Sequence, residues 1–342
     1  MRRLGMAGVV LAGVTLAVAA AERRPRPAPT KADEPRAETA SLERGATYLD
    51  AVSAEWTESR QCGTCHTNVP YLMARPWLGL KPSPEEKSIR TFFEDRVRHW
   101  DRGQKGDRPR WDAEVVVTAA ALAGHDAGGS GKLHPLTRQA LDRMWKVQRK
   151  DGGWSWLRCN WPPMEHDDEY GAVLAAVAVS LAPDGYARTD AARAGLDRLR
   201  GYLRTNPPPT LHHRSWLLWA SVRLDGLMSK QEQAQTVKEL LVRQRTDGGW
   251  NLTSLGDWKG HDGRVNDTDA PSDGYGTGLA VYVLRQTGLP ADHPALKRGA
   301  DWLRANQRVS GRWFTRSLNN DRTHYVTNTG TAFALLALKA CE

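Results

Sequence analysis

The sequence predicts an all-α fold: a single (α/α)6 toroid, a barrel of six helical hairpins, over residues 42–342. Three observations point there. Amphipathic helical segments alternate with segments that are apolar nearly all round, six times over, and no segment carries a strand period. A short motif recurs at Gln148–Trp154, Gln244–Trp250 and Gln307–Trp313. Finally, the chain holds 14 tryptophans, and three of them close the copies of that motif.

The N-terminus is read first. Met1-Arg2-Arg3 is a basic start, Leu4 to Val18 is apolar, and Ala19-Ala20-Ala21 offers a small-residue cleavage site. Together they read as a secretory signal peptide over 1–21, which implies a periplasmic or secreted chain. The apolar run is too short for a membrane span and no later stretch approaches ~20 apolar residues, so the mature chain is expected to lack a transmembrane segment. Residues 22–41, rich in Pro, Arg and Ala and without period, read as a disordered leader. The formal charge of +9 comes from 48 Lys and Arg against 39 Asp and Glu, scattered without a dense basic stripe, so no nucleic-acid partner is expected.

Outer, more charged helices are predicted at approximately 42–55, 84–100, 135–149, 189–205, 229–245 and 295–307. Inner, apolar partners follow at approximately 66–78, 111–124, 168–182, 213–227, 274–287 and 327–340. A helix buried all round needs amphipathic helices to cover it, and one of each per unit fits two concentric layers closed into a ring. In the repeated motif, the Gly-Gly or Ser-Gly pair after the outer helix supplies a left-handed turn. The Trp then folds back over the helix end, and the Gln, still on the helix, hydrogen-bonds loop backbone.

These Q-x-x-x-G-x-W repeats, between outer and inner helices, resemble the QW motifs of squalene and hopene cyclases, whose superfamily includes protein prenyltransferase β-subunits. The likeness runs from about residue 42 to the C-terminus, as one toroid, whereas the cyclases are about twice as long with two helical domains. It implies an apolar cavity in the ring and an apolar, isoprenoid-like small-molecule substrate. Trp216, Trp219, Tyr170, Tyr275, Tyr282 and Phe333 are the aromatic residues that could line it. In the cyclases a D-x-D-D-T-A segment opens an inner helix and supplies the acid that protonates the substrate. Here Thr327 to Leu336 keeps the T-A-F-A-L-L tail with no acid, and Asp267-Thr268-Asp269-Ala270 and Asp167-Asp168 are partial matches. Asp167, Asp168, Asp269 and Asp273 are therefore the candidate catalytic carboxylates. Helix N-capping is the plainer role for acids at such positions.

Cys62-Gly63-Thr64-Cys65-His66 is the sharpest signal, placed where the first inner helix starts. C-x-x-C-H in an exported chain reads as attachment of haem c, with thioethers at Cys62 and Cys65 and His66 as the ligand of the haem iron. Zinc, with further ligands such as His166, Asp167 or His213, and a Cys62–Cys65 disulfide are the alternatives. Met164 and His166 are candidates for the distal haem ligand, and Cys159 and Cys341 for a second disulfide. Three functions follow as expectations: a haem-dependent oxidoreductase acting on an apolar substrate, a mono-haem electron carrier with a redox partner protein, or an acid-initiated terpenoid cyclase.

Overall fold

The computed structural model describes residues 27–100 and 112–342, so the signal segment 1–21 and Trp111 lie outside them. Among the described residues there are twelve α-helices and no strand beyond isolated bridges. The outer set is α1 (Leu42–Arg60), α3 (Pro84–His99), α5 (Pro135–Lys146), α7 (Asp190–Thr205), α9 (Lys230–Val242) and α11 (Pro294–Asn306). The inner set is α2 (Asn68–Ala74), α4 (Asp112–Gly128), α6 (Asp168–Leu181), α8 (Leu211–Ser221), α10 (Gly274–Gln286) and α12 (Val326–Ala340). Each inner helix packs on the next around the ring, and α12 packs back on α2. The toroid is closed.

Periodicity explains the layering. In α12 every residue from Val326 to Leu338 is buried, whereas α7 buries Ala192, Gly195, Leu196, Leu199, Tyr202 and Leu203, one face of a 3.6-residue helix. Helix ends moved where local chemistry intervenes. α1 runs five residues past its predicted end to Arg60, and α2 stops at Ala74. Pro76 has no N–H to continue an α-helix, so a 3-10 turn over Arg75–Leu78 completes that segment. α8 ends at Ser221, short of the predicted 227, before a turn at Gly226 with φ +77°.

The repeated motif joins neighbouring hairpins. Gly152, Gly248 and Gly311 have φ of 95°, 89° and 97°, and a Cβ on any of them would strike the backbone of the next outer helix. Trp154 Nε1 donates to Met144 O, Trp250 Nε1 to Leu240 O and Trp313 Nε1 to Leu303 O, each ten residues back. The glutamines do not sit on the helices as predicted. Gln148 and Gln244 follow the C-caps of their helices and Gln307 is itself a C-cap, so each amide is free to turn outward. Gln148 reaches Gly195 O of α7, and Gln244 reaches Ala295 O of α11. Gln307 takes both Ser41 N and Ser41 O, at the N-cap of α1, so the last copy of the motif closes the ring onto its beginning.

The leader differs from its composition. Residues 27–41 are held against the last hairpin: Ala37 N donates to Gln307 O, Val309 N to Pro35 O, and Arg312 Nε to Glu34 at 2.6 Å. Arg312 is 3% exposed and also donates to Ala28 O and Pro29 O. A buried guanidinium with five donors needs such acceptors, and this order was hidden because the partners lie some 270 residues away.

Candidate functional site

The inner helices start at one rim, and their first turns decide what the site can do. Asp167 is the N-cap of α6: Oδ1 accepts from Tyr170 N at 2.9 Å and also meets His213 Nε2 at 3.0 Å. Asp168 bonds Arg149 Nη1 at 2.5 Å and accepts from Trp156 N at 3.1 Å. Asp273, half-buried as the N-cap of α10, accepts from Gly276 N, Leu252 N and Thr315 Oγ1 at 2.8, 2.6 and 3.1 Å. Burial pushes its pKa up to about 6 against those hydrogen bonds. Asp269 is exposed on the loop before α10, and only its backbone is bonded. The four carboxylates are not gathered on one point, and three are committed to caps and ion pairs.

At the start of α2 the arrangement is different. His66 is 9% exposed, stacked on Tyr325 at 5.0 Å and met edge-on by Trp56 at 4.8 Å. Its Nδ1 lies 2.9 Å from Thr67 Oγ1, which also accepts from Asn328 Nδ2, while Asn328 Oδ1 accepts from Tyr48. This chain of bonds fixes the ring through Nδ1 and leaves Nε2 uncommitted. Burial alone pushes the pKa of His66 down to about 3, so the imidazole is neutral, the form that binds a metal. Cys62 is half-buried and Cys65 buried, its thiol pushed well up by burial and then by the charge of Glu165. Beside the motif a groove of about 290 Å³ includes Trp56 and Tyr325 in its walls, and Trp56 Nε1 is a buried donor without a partner.

The loop before α6 leans on this motif through Glu165, 3.4 Å from Thr64 Oγ1, and through Trp161, whose ring lies 6.0 Å from Tyr325. Met164 is buried with its carbonyl bonded to Trp156 Nε1, and His166 is exposed in the wall of a separate pocket. The ring neighbours of His66 are thus Trp56 and Tyr325, not the two residues proposed as distal ligands. Cys159 N bonds Glu165 O at this rim, whereas Cys341 follows the far end of the 15-residue α12. A helix of that length spans about 22 Å. That is far beyond disulfide reach, so these two candidates for a pair stand apart. Among the described residues no group of three His, Cys, Asp or Glu side chains is arranged to hold a metal ion.

Within the ring the six aromatic residues predicted to line a cavity pack on one another instead. Trp216 lies 5.3 Å from Phe333, and Trp219 lies 5.2 Å from Tyr282. Tyr275 Oη meets His212 Nε2 at 2.6 Å and accepts from Trp216 Nε1 at 3.2 Å. All six are buried.

Comparison with known proteins places this geometry. The chain is 24% identical over 278 residues to the squalene–hopene cyclase of Zymomonas mobilis, covering 68% of this chain and 40% of that protein. Its fold superposes on ent-copalyl diphosphate synthase from Streptomyces platensis with a TM-score of 0.51 at 17% identity, covering 80% of this chain and 50% of that one. It is a cyclase-like toroid. The chain spans about half or less of these relatives' length. A polysaccharide lyase superposes with a TM-score of 0.54 at 11% identity, covering 88% of this chain and 98% of the lyase, so the toroid serves more than one chemistry. No protein-family model matches the chain. In this toroid no described helix is long and apolar enough to cross a membrane.

Sequence reasoning missed three features of the rim: the Trp56–His66–Tyr325 stack, the weakly bonded Glu165, and the bridge from His213 to Asp167. Glu165 stands between Met164 and His166, both singled out in the sequence. Trp56 gave no signal, because an outer-helix tryptophan reads as ordinary packing.

Proposed function

We propose that this toroid is an exported c-type haem protein that works as a redox module, with haem joined at Cys62 and Cys65 and His66 as the iron ligand. The observation that carries this reading is the state of His66: Nδ1 is held by Thr67, the ring is neutral, and Nε2 is open. A ligating histidine is commonly held this way, one nitrogen fixed by an outer partner so the other points its lone pair at the metal. The orphaned Trp56 Nε1 beside it supports a site made for a further group. Haem would supply one-electron redox chemistry. Trp56 and Tyr325 would keep the imidazole from rotating, and Asn328 would keep Thr67 in place. Because Cys65 is buried in the closed ring, attachment is expected to precede ring closure.

The acid-initiated cyclase is the weaker reading. Protonating an alkene needs a carboxyl held neutral and aimed at substrate, and Asp167, Asp168 and Asp273 are turned to backbone and arginine instead. An apolar substrate inside the ring would also have to displace the Trp216–Phe333 packing. Absorption spectra of protein matured in a periplasm competent for haem attachment, recorded with and without dithionite, test the proposal. A Soret band that shifts on reduction is expected, and His66→Gln should alter it. A colourless protein from that preparation would sink the reading.

A further inference from the structure

Between the starts of α6 and α8 a pocket of about 400 Å³ opens, with Thr210 and Asp167 in its wall beside Asn160, His166, Asp257 and Lys259. Behind that wall the fully buried His213 spans the two, Nε2 3.0 Å from Asp167 Oδ1 and Nδ1 2.7 Å from Thr210 Oγ1. For a neutral imidazole the chemistry of these atoms assigns the protons. A carboxylate can only accept, so Nε2 carries the hydrogen and donates to Asp167. In the neutral imidazole Nδ1 is then a lone pair, and the Thr210 hydroxyl supplies the hydrogen between them. Asp167 Oδ1 also accepts from Tyr170 N at 2.9 Å, so the carboxylate that meets His213 is itself held in place at the start of α6. A hydroxyl bonded to a base that a carboxylate orients is the arrangement that activates it for attack.

Thr210 is also the N-cap of α8. The first-turn N–H groups of Leu211 and His212 have no acceptor within the helix and stand at the positive end of its dipole, next to the Thr210 oxygen. Donors placed there can hold a developing oxyanion. We infer that this pocket is an acyl-transfer site in which Thr210 is the nucleophile, His213 the base and Asp167 a positioning residue, for small carboxylic esters whose polar part meets Asn160, Asp257 and Lys259. Thr210 Oγ1 gives its proton to His213 Nδ1 and bonds to the ester carbon. Collapse breaks the bond to the alcohol oxygen, which leaves with the proton from Nδ1. Water then gives a proton to Nδ1, attacks the acyl-threonine, and Thr210 Oγ1 takes that proton back as it departs. Ester and water become acid and alcohol with no other reactant, and the relay shares no residue with the Cys62–His66 motif.

The same bonds would exist if Thr210 only capped α8, and side-chain chemistry separates the two cases. Asn caps a helix as well as Thr but has no hydroxyl, whereas Ser supplies both. The full chain is assayed with p-nitrophenyl acetate and treated with a fluorophosphonate, and the label is mapped by peptide mass. The wild type should hydrolyse the ester and carry the label on Thr210, and Thr210→Ser should stay within about tenfold of it. Thr210→Asn should keep its helical spectrum and melting temperature yet lose hydrolysis by about a hundredfold or more, together with the label. Asp167→Asn, which keeps the α6 cap, should lower kcat by about 10³–10⁴ with KM unchanged. Hydrolysis that survives Thr210→Asn, a label mapped elsewhere, or a wild type that neither labels nor hydrolyses above a buffer blank would overturn the inference and leave a structural clasp.

Discussion

Asp273 at the start of α10 and His66 at the start of α2 occupy equivalent places in the ring, yet they differ in what their polar atoms have left to offer. Both Asp273 oxygens accept from backbone or Thr315, so the side chain holds three segments together. His66 gives one nitrogen to Thr67 and keeps the other, between two aromatic rings. A saturated polar group at a rim does structural work, whereas one held rigidly with a vacant atom is prepared for a ligand. Substitutions on the structural side should therefore move stability and leave any haem spectrum alone, and substitutions at His66 should do the reverse.

The largest effect belongs to the motif tryptophans. Trp250→Ala removes a fully buried indole and its bond to Leu240 O, and should cost about 3–5 kcal/mol in urea unfolding. A loss of activity with unchanged stability would break the structural assignment. Next comes the pH dependence of Asp273. Its folded pKa of about 6 lies above the ordinary 3.8, so its contribution is full below about pH 4 and fades as pH rises through 6. Relative to Asp273→Asn, the wild type should lose roughly 2–3 kcal/mol between pH 4 and 7.5, read from urea midpoints. A parallel pair of curves would contradict the raised carboxyl.

Gln307→Ala should follow, at about 1–3 kcal/mol, because it strips Ser41 N and Ser41 O of partners at the closure of the ring. Limited proteolysis should then cut within 27–41, which Gln148→Ala at an internal junction should not cause. Equal protease resistance in both variants would show that the closing junction is no different from the others. The smallest stability change is expected for His66→Gln, about 1 kcal/mol or less, since an amide can still meet Thr67. The haem spectrum should change most in that same variant.

The ring was legible because apolar and amphipathic helical segments alternate along the chain and the motif repeats its chemistry three times. Helix ends were less so: the α2 boundary turned on Pro76, and the position of each motif Gln depended on a C-cap geometry that periodicity does not encode. The order of residues 27–41 was illegible, since it depends on Arg312 and Gln307 from the other end of the chain. At the rim, the types of residue could be foreseen but not their commitments. Capping was the plainer expectation for the rim acids, but the bonds of Asp167 to His213 and of Asp168 to Arg149 rest on contacts that the sequence does not encode. Whether Cys159 and Cys341 pair was open in the sequence, which holds no measure of which end of α12 a loop reaches.

The intact mass of the protein tests the central claim most directly. Chain exported into a periplasm with haem-attachment machinery is compared with Cys62→Ser/Cys65→Ser from the same cells, and with folded wild-type protein made in the cytoplasm and then offered haem. The account predicts one haem, about 616 Da, on the exported wild type alone. Cytoplasmic protein should remain at the apo mass, because its Cys65 is enclosed once the ring has formed. An exported wild type at the apo mass, with the variant indistinguishable from it, would contradict the account.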